Sequence, residues 1–262
     1  MSKPRHAAQP TAEPLVERLE RLISTQLEPG SKLPSEGALA LDFGVSRLTV
    51  REAFKVLEGR GLLDIGRGRR AVVRAPNGSV LGSFLATVMQ KDPKGLIELV
   101  EVRRALEVLA ASLAARNLNR AGAAAIRAAL AGMQSAAPAI ENAATRKAAL
   151  QHFHDFDVGF HEALALASGN RMLASLIEAL AMPLRNSFSM SLRGREMRGG
   201  TAGETVKAHE AIFGFVQAGD ARRAAQAMRA HLQDAERDMR AVLSQPTQIA
   251  SPAPRRTAKS TR

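Results

Sequence analysis

Four side chains in the C-terminal half are of the types that hold a divalent metal: Asp157, His161, His209 and His231. Asp157 and His161 are four residues apart in a stretch of helical spacing, so both project from one face. His209 falls in a helix predicted to begin near Thr205, and His231 falls in the last helix. One carboxylate and three imidazoles suit a divalent ion such as zinc, nickel or manganese, and leave coordination positions open for the oxygens of a ligand. His152 and His154 compete for the same role, and a D-x-x-x-H pair also recurs by chance. The same set could activate water for hydrolysis, although no dedicated general base or nucleophile accompanies it.

Arg103 offers a second kind of chemistry. It follows Glu101 on a mostly apolar stretch with Leu96, Ile97, Leu99, Val100 and Leu106, which turns it toward the interior. A buried arginine needs an anion, and either a ligand carboxylate or a structural acid such as Glu107 supplies one. Arg185 and Arg193 are further candidates. In the N-terminal half the run Ser46-Arg47-Leu48-Thr49-Val50-Arg51 opens a predicted helix. Arg47 and Arg51 share a face there, where arginine can grip guanine edges and hydroxyls suit phosphates. A Gly-rich tip, Gly66-Arg67-Gly68-Arg69-Arg70, would bring Arg67, Arg69 or Arg70 to a neighbouring minor groove or phosphate. The competing explanation is that these arginines solvate a helix face.

The elements that must position these groups are mostly helical. Leu15, Leu19, Leu22, Ile23 and Leu27 recur at helical spacing before Pro29-Gly30. A second helix is predicted from Ser35 to Phe43, a Gly44 turn follows, and a third helix runs from after Ser46 to about Arg60. Leu62–Ile65 and Ala71–Val73 flank the basic tip and read as a hairpin. Helix, helix, tight turn, helix, basic hairpin is the order of a winged helix-turn-helix. Residues 12–74 form that domain, 1–11 a disordered tail, 75–83 a linker, 84–243 a helical domain and 244–262 a basic disordered tail. Breaks are predicted near 92–93, 119–120, 136–139, 168–169, 199–203 and 219–220, giving six or seven helices. The expected fold is mainly α, a winged helix-turn-helix with a small β-hairpin wing followed by an antiparallel helical bundle.

Composition agrees. The 262 residues exceed one ordinary domain, and only 3% are aromatic, so Ala-rich helices rather than sheets fill the cores. A net charge of +12 calls for a polyanionic partner such as nucleic acid, which also raises the alternative of non-specific DNA packaging. The absence of cysteine excludes thiolate metal sites and thiol nucleophiles. No apolar run is long enough for a membrane span, and the first residues lack the apolar stretch of a secretory signal. A cytoplasmic protein is expected.

The run LEPGSKLPSEGALALDFGVSRLTVREAFKVLEGRGLLDIGRGRRAVV resembles the DNA-binding domain of the GntR family of bacterial regulators. The likeness rests on PG-x-x-LPSE, L-A-x-x-F-G-V-S-R-x-T-V-R-E-A and the L-x-x-x-G-L-L hairpin entry, over roughly residues 13–74. It implies that Ser46, Arg47, Thr49 and Arg51 face operator DNA, with Arg67 and Gly68 at the wing tip. Gly37 stands where many members carry a DNA-contacting arginine, which alters or weakens one contact. Residues 96–240 resemble the FCD ligand-binding domain of the FadR-like subfamily. The matching pieces are Glu101-x-Arg103-x-x-Leu106-Glu107, Asp157-x-x-Phe160-His161, Ser168-Gly169-Asn170, His209-Glu210, Gly219-Asp220 and Met228-x-x-His231. Lys207-Ala208 replaces a usual glutamate. The resemblance implies Asp157, His161, His209 and His231 as ligands of a divalent metal, and Arg103 as partner of an effector carboxylate, a sugar acid or hydroxy acid. Two chains are expected to pair as a homodimer on double-stranded operator DNA, acting as a repressor, with activation as the open alternative, and without enzymatic activity.

Overall fold

The computed structural model describes residues 14–66, 68–75, 77–89 and 93–244, without the side chains of residues 93, 94 and 185–187. The tail expected over 1–11, the wing residue Arg67 and nearly all of 244–262 lie outside the described residues.

Three short helices open the chain: α1 (Leu15–Gln26), α2 (Glu36–Phe43) and α3 (Arg47–Gly59). Leu19 and Ile23 of α1, four apart, are buried with Val50, Phe54 and Leu57 of α3 in one apolar core. Serines set the starts of the second and third helices. Ser35 Oγ accepts the Ala38 N–H at 3.1 Å, and Ser46 Oγ accepts the Thr49 N–H at 3.0 Å. Gly44 closes α2 at φ 67°, its N–H donating to the Ala40 and Leu41 carbonyls. A side chain there would meet the left-handed penalty that glycine avoids. An antiparallel hairpin follows, β1 (Leu63–Asp64) against β2 (Val72–Val73), with Leu63 opposite Val73 and Asp64 opposite Val72.

Seven further helices complete the described residues: α4 (Ser79–Met89), α5 (Pro93–Asn117), α6 (Arg120–Ile140), α7 (Arg146–Ala167), α8 (Arg171–Met197), α9 (Ala202–Gln217) and α10 (Ala221–Leu243). Short connectors at 141–145, 168–170 and 218–220 join helices that pack on each other, α6 with α7, α7 with α8 and α9 with α10. Asn119, Asn170 and Asp220 cap the helices that follow them, so the predicted breaks there coincide with side-chain caps. α6 packs on α7 and α9, α10 packs on α5, α8 and α9, and α4 lies along α8. The bundle has its own core around Ile126, Met133, Phe153, Phe160, Ile212 and Met228.

Two boundaries differ from the sequence reading. α4 begins at Ser79, within the stretch read as linker, because Asn77 Oδ1 accepts both the Ser79 N–H (3.1 Å) and its hydroxyl (2.7 Å). The break expected at 136–139 falls at 141–145 instead. Ala136, Ala137 and Ile140 are buried, so core burial holds the last turn of α6, and Pro138 near its end disrupts little of the helical ladder.

α4 meets α8 backbone to backbone. A Cβ added to Gly78 would stand 2.4 Å from Ala179 N, and one added to Gly82 would stand 2.8 Å from Ala179 O. At its other side α4 touches the DNA-reading half, since a Cβ on Gly61, just past α3, would lie 2.8 Å from a Val80 methyl.

Candidate functional site

The bundle brings Asp157, His161, His209 and His231 together from α7, α9 and α10. One nitrogen from each histidine lies within 4.8 Å of the others, and all three side chains are buried. His209 Nδ1–H donates to the Thr205 carbonyl at 2.8 Å, which turns its Nε2 into the cluster. That Nε2 stands 3.3 Å from His161 Nε2 and 3.2 Å from Asp157 Oδ1. Two ligands bound at about 2.1 Å to one ion stand roughly 3.0–3.4 Å apart, so both spacings suit a shared metal. His231 Nδ1 is buried without a hydrogen-bond partner among the described residues, an arrangement that is costly unless something fills it. The donor set therefore fits a divalent ion. Phe160 packs its ring against His209 with centroids 4.6 Å apart and walls one side.

Behind the cluster lies a buried ion pair. Arg103 Nε donates to Glu107 Oε1, and Glu107 Oε2 touches His161 Nδ1. Both alternatives open for Arg103 thus bear on the site: it has the structural partner Glu107, and it also lines the cavity in front of the histidines. Burial is the largest influence on Asp157 and alone raises its pKa, but the hydrogen bond and charge of His209, with His161 and Arg103, hold the carboxyl well below its ordinary range. Burial acts likewise on Glu107, and Arg103 and His161 overcome it to bring the group to about 2. For His161, burial lowers the pKa despite the pull of Glu107. Burial, then the neighbouring His209 and His161, push His231 well below its usual value. Anionic carboxylates beside neutral imidazoles are the protonation states metal ligation requires.

Arg103, Glu107, Asp157, His161 and His231 line one cavity with His154. His154 is outside the three-histidine group and packs on Phe188 with centroids 4.8 Å apart, while His152 is exposed. Arg193 is exposed on α8 and the Arg185 side chain lies outside the described residues. Sequence reasoning passed over Arg195, which does line the cavity and is held by the fully buried Asp238 at 3.0 Å. The helical repeat from Leu184 through Phe188 and Ser191 to Arg195 was the available signal. It weighed Glu107 only as a partner for Arg103, and the contact with His161 depends on a helix pairing that spacing does not reveal.

On the DNA-reading half, Ser46, Arg47, Thr49 and Arg51 are all exposed on the first turns of α3. Ser46 and Thr49 hydroxyls pair at 2.8 Å. Arg51 is held in a two-point pair by Glu36, Nη2–Oε2 2.7 Å and Nε–Oε1 3.2 Å. The hydrogen bond and charge of Glu36 raise the Arg51 pKa, and the Arg51 hydrogen bond lowers that of Glu36 despite slight burial. Arg47 lies over the first turn of α2, where a Cβ on Gly37 would come within 3.2 Å of its guanidinium. Gly68 sits exposed at the hairpin tip with φ 69°. Arg69 and Arg70 are exposed beside it.

Comparison with known proteins agrees with both halves. Residues 98–234 match the FCD domain, and residues 11–73 match the family described as bacterial regulatory proteins, gntR family. The chain is 32% identical over 212 residues to the HTH-type transcriptional regulator LutR of Bacillus subtilis, covering 80% of this chain and 92% of that protein. It is 31% identical over 208 residues to the Glc operon transcriptional activator of Escherichia coli K12, covering 79% and 80%. A Streptococcus agalactiae GntR structure superposes with TM-score 0.64 at 23% identity, covering 85% of this chain and 97% of that one, a likeness of fold. No helix among the described residues is long and apolar enough to cross a membrane. These matches are to transcription regulators, which removes hydrolysis and non-specific packaging as readings. The chain belongs to the GntR family of bacterial transcriptional regulators, in the FadR-type branch that carries an FCD domain, and is a DNA-binding regulator rather than an enzyme.

Proposed function

We propose that two copies of this chain hold an operator as a cytoplasmic repressor, and that a small carboxylate bound in the bundle releases it. The observation that carries this reading is the convergence of three histidines and Asp157 beside Arg103 at one cavity. Asp157, His161, His209 and His231 would hold a divalent ion such as zinc, nickel or manganese. When bound, such an ion supplies positive charge and open coordination positions for carboxylate oxygens. Arg103 gives Nε to Glu107 and presents its terminal nitrogens to the effector, a sugar acid or hydroxy acid.

Ser46, Arg47, Thr49 and Arg51 read the major groove, and the Arg67-Gly68 tip follows the backbone beside it. Residues 12–74 act as the DNA-reading unit and 84–243 as the sensor, joined through 75–83. The exposed apolar side chains of α4, among them Phe84, Val80 and Val88, offer surface for a second copy to cover. Signal transfer follows the close contacts. The cavity wall includes Leu180 and Ala181 of α8, their neighbour Ala179 bears on Gly78 and Gly82, and Val80 bears on Gly61 at the end of α3. Packed backbones shift as a unit rather than deform, so an effector that favours one setting of α8 also favours one setting of α3. Release requires tighter effector binding to the free form than to the operator-bound form.

Anisotropy titrations on the chain's own upstream DNA and on random DNA, at one salt concentration, test the reading. Arg51→Ala should cost about 10–100-fold on the operator, the discrimination a bidentate base contact supplies, and much less on random DNA. Chelation should abolish effector-driven release without any turnover of the effector. Full operator affinity in Arg51→Ala, or release that persists without metal, would overturn it.

A further inference from the structure

The cavity beside the histidines is two-faced. Its polar groups gather on α5, α7 and α10, where Arg103, Glu107, Asp157, His161 and His231 stand, with Glu162 and with His154, whose ring packs on Phe188. The opposite wall is α8, which contributes Ile177, Leu180, Leu184 and Phe188 at helical spacing, joined by Val100 of α5 and Met239 of α10. The α8 side chains lining the cavity run from Ile177 to Arg195, about 27 Å of helix axis at 1.5 Å per residue. Over most of that length the wall offers no hydrogen-bonding side chain. Its polar members come at the far end, where Ser191 is followed by Arg195, already bound to Asp238. Near the histidines the Thr205 carbonyl accepts from His209.

A sugar acid carries a hydroxyl on nearly every carbon, and each one buried against Ile177, Leu180 or Leu184 would lose its water partner without gaining another. An alkyl or aryl group meets the reverse situation, since the same wall takes it out of water. We infer that the effector is a 2-hydroxy or similar carboxylic acid bearing an apolar substituent, with its carboxylate at Arg103 and its substituent along the Ile177–Leu180–Leu184–Phe188 face of α8. The inference rests on the carboxylate-sensing reading above and selects, within it, the alkyl or aryl acid over the polyhydroxylated one. It makes α8 both the wall that measures the substituent and the helix that bears on Gly78 and Gly82, so ligand length and operator release are read by one element.

Calorimetry on the full-length, metal-loaded protein tests it with lactate, 2-hydroxybutanoate, 2-hydroxypentanoate, 2-hydroxyhexanoate, 3-phenyllactate and gluconate. Each added methylene should tighten binding about fourfold, the equivalent of about 0.8 kcal/mol at 1.4 kcal/mol per factor of ten. Gluconate should bind more weakly than 2-hydroxyhexanoate. Ile177→Thr, which sets a hydroxyl in the wall, should lower the gain per methylene along the series. A flat series, or gluconate as the tightest ligand, overturns the apolar subsite while leaving carboxylate sensing intact. A steep series that survives chelation and Arg103→Gln upholds the subsite and overturns the metal-and-arginine reading instead. Failure of every acid to bind overturns both.

Discussion

Glu107 is the residue on which the candidate metal centre turns, although it is not one of the four side chains proposed to hold the ion. It is wholly buried, faces Arg103 through one oxygen and touches His161 through the other. A carboxylate in that position fixes the histidine's tautomer and ring angle, and losing such a partner typically costs about 10–100-fold in metal affinity. Glu107→Gln keeps the shape and removes the charge, so zinc affinity measured against a competing chelator should fall by that order. An unchanged affinity would mean that His161 is positioned by packing alone. The arrangement was half legible in the sequence. Spacing of four put Asp157 beside His161 and Arg103 beside Glu107, since local helix geometry is a property of the sequence. Contacts between helices distant in the chain, such as Glu107 with His161 or Arg195 with Asp238, depend on rotation and register that periodicity does not fix. Arg51 shows the same limit: its exposure followed from its place on α3, but its pairing with Glu36 of α2 did not.

The elements themselves were the most legible level, because their signals are local. Ser35, Ser46 and Gly44 mark helix ends by cap chemistry, and the caps observed are the ones these residues favour. One misread boundary is where tertiary burial outvoted local cues, with Ala136, Ala137 and Ile140 carrying α6 past the expected break. At α4 a local cue, the Asn77 cap, starts the helix inside the expected linker. Gly78 just before it and Gly82 within it look like loop residues in isolation, yet α8 passes too close to either for a side chain. Gly82→Ala puts a methyl 2.8 Å from the Ala179 carbonyl, and overpacking of this sort costs about 1–3 kcal/mol. The variant should therefore unfold at a lower denaturant midpoint. Zinc affinity should stay as it was, because none of the four proposed ligands touches α4, while the effector's influence on operator affinity shrinks. If the methyl left both stability and release untouched, α4 would not be the coupling element.

At the scale of the molecule, an ion held by the three histidines would tie α7, α9 and α10 into one unit, whereas the winged half has a separate core. A ligand at 100 times its Kd stabilises the form it binds by about 2.7 kcal/mol, which corresponds to roughly 5–11 °C for a unit of this size. Calorimetric scans should show the bundle transition moving by that order on chelation, with the winged-domain transition in place. A shared shift of both would mean that the halves unfold together. The DNA side carries the more demanding consequence. In the proposed reading a single α3 would present one short set of base contacts, Arg47 and Arg51 with Ser46 and Thr49, which spans too few base pairs to specify an operator by itself. Under the proposed pairing, two copies would read two half-sites, and their recognition helices must enter grooves on the same face of the duplex, about 34–36 Å or a multiple of it apart. Inserting about five base pairs between half-sites turns one of them to the opposite face, so anisotropy should report a drop to the affinity of an isolated half-site. Inserting about ten should restore part of the binding if the joint between wing and bundle gives, and none if α4 holds it rigidly. Because Gly61 and Val80 bring the end of α3 against α4, the rigid outcome is expected, and tight binding to every spacing would show that the two reading heads are not fixed to a common frame.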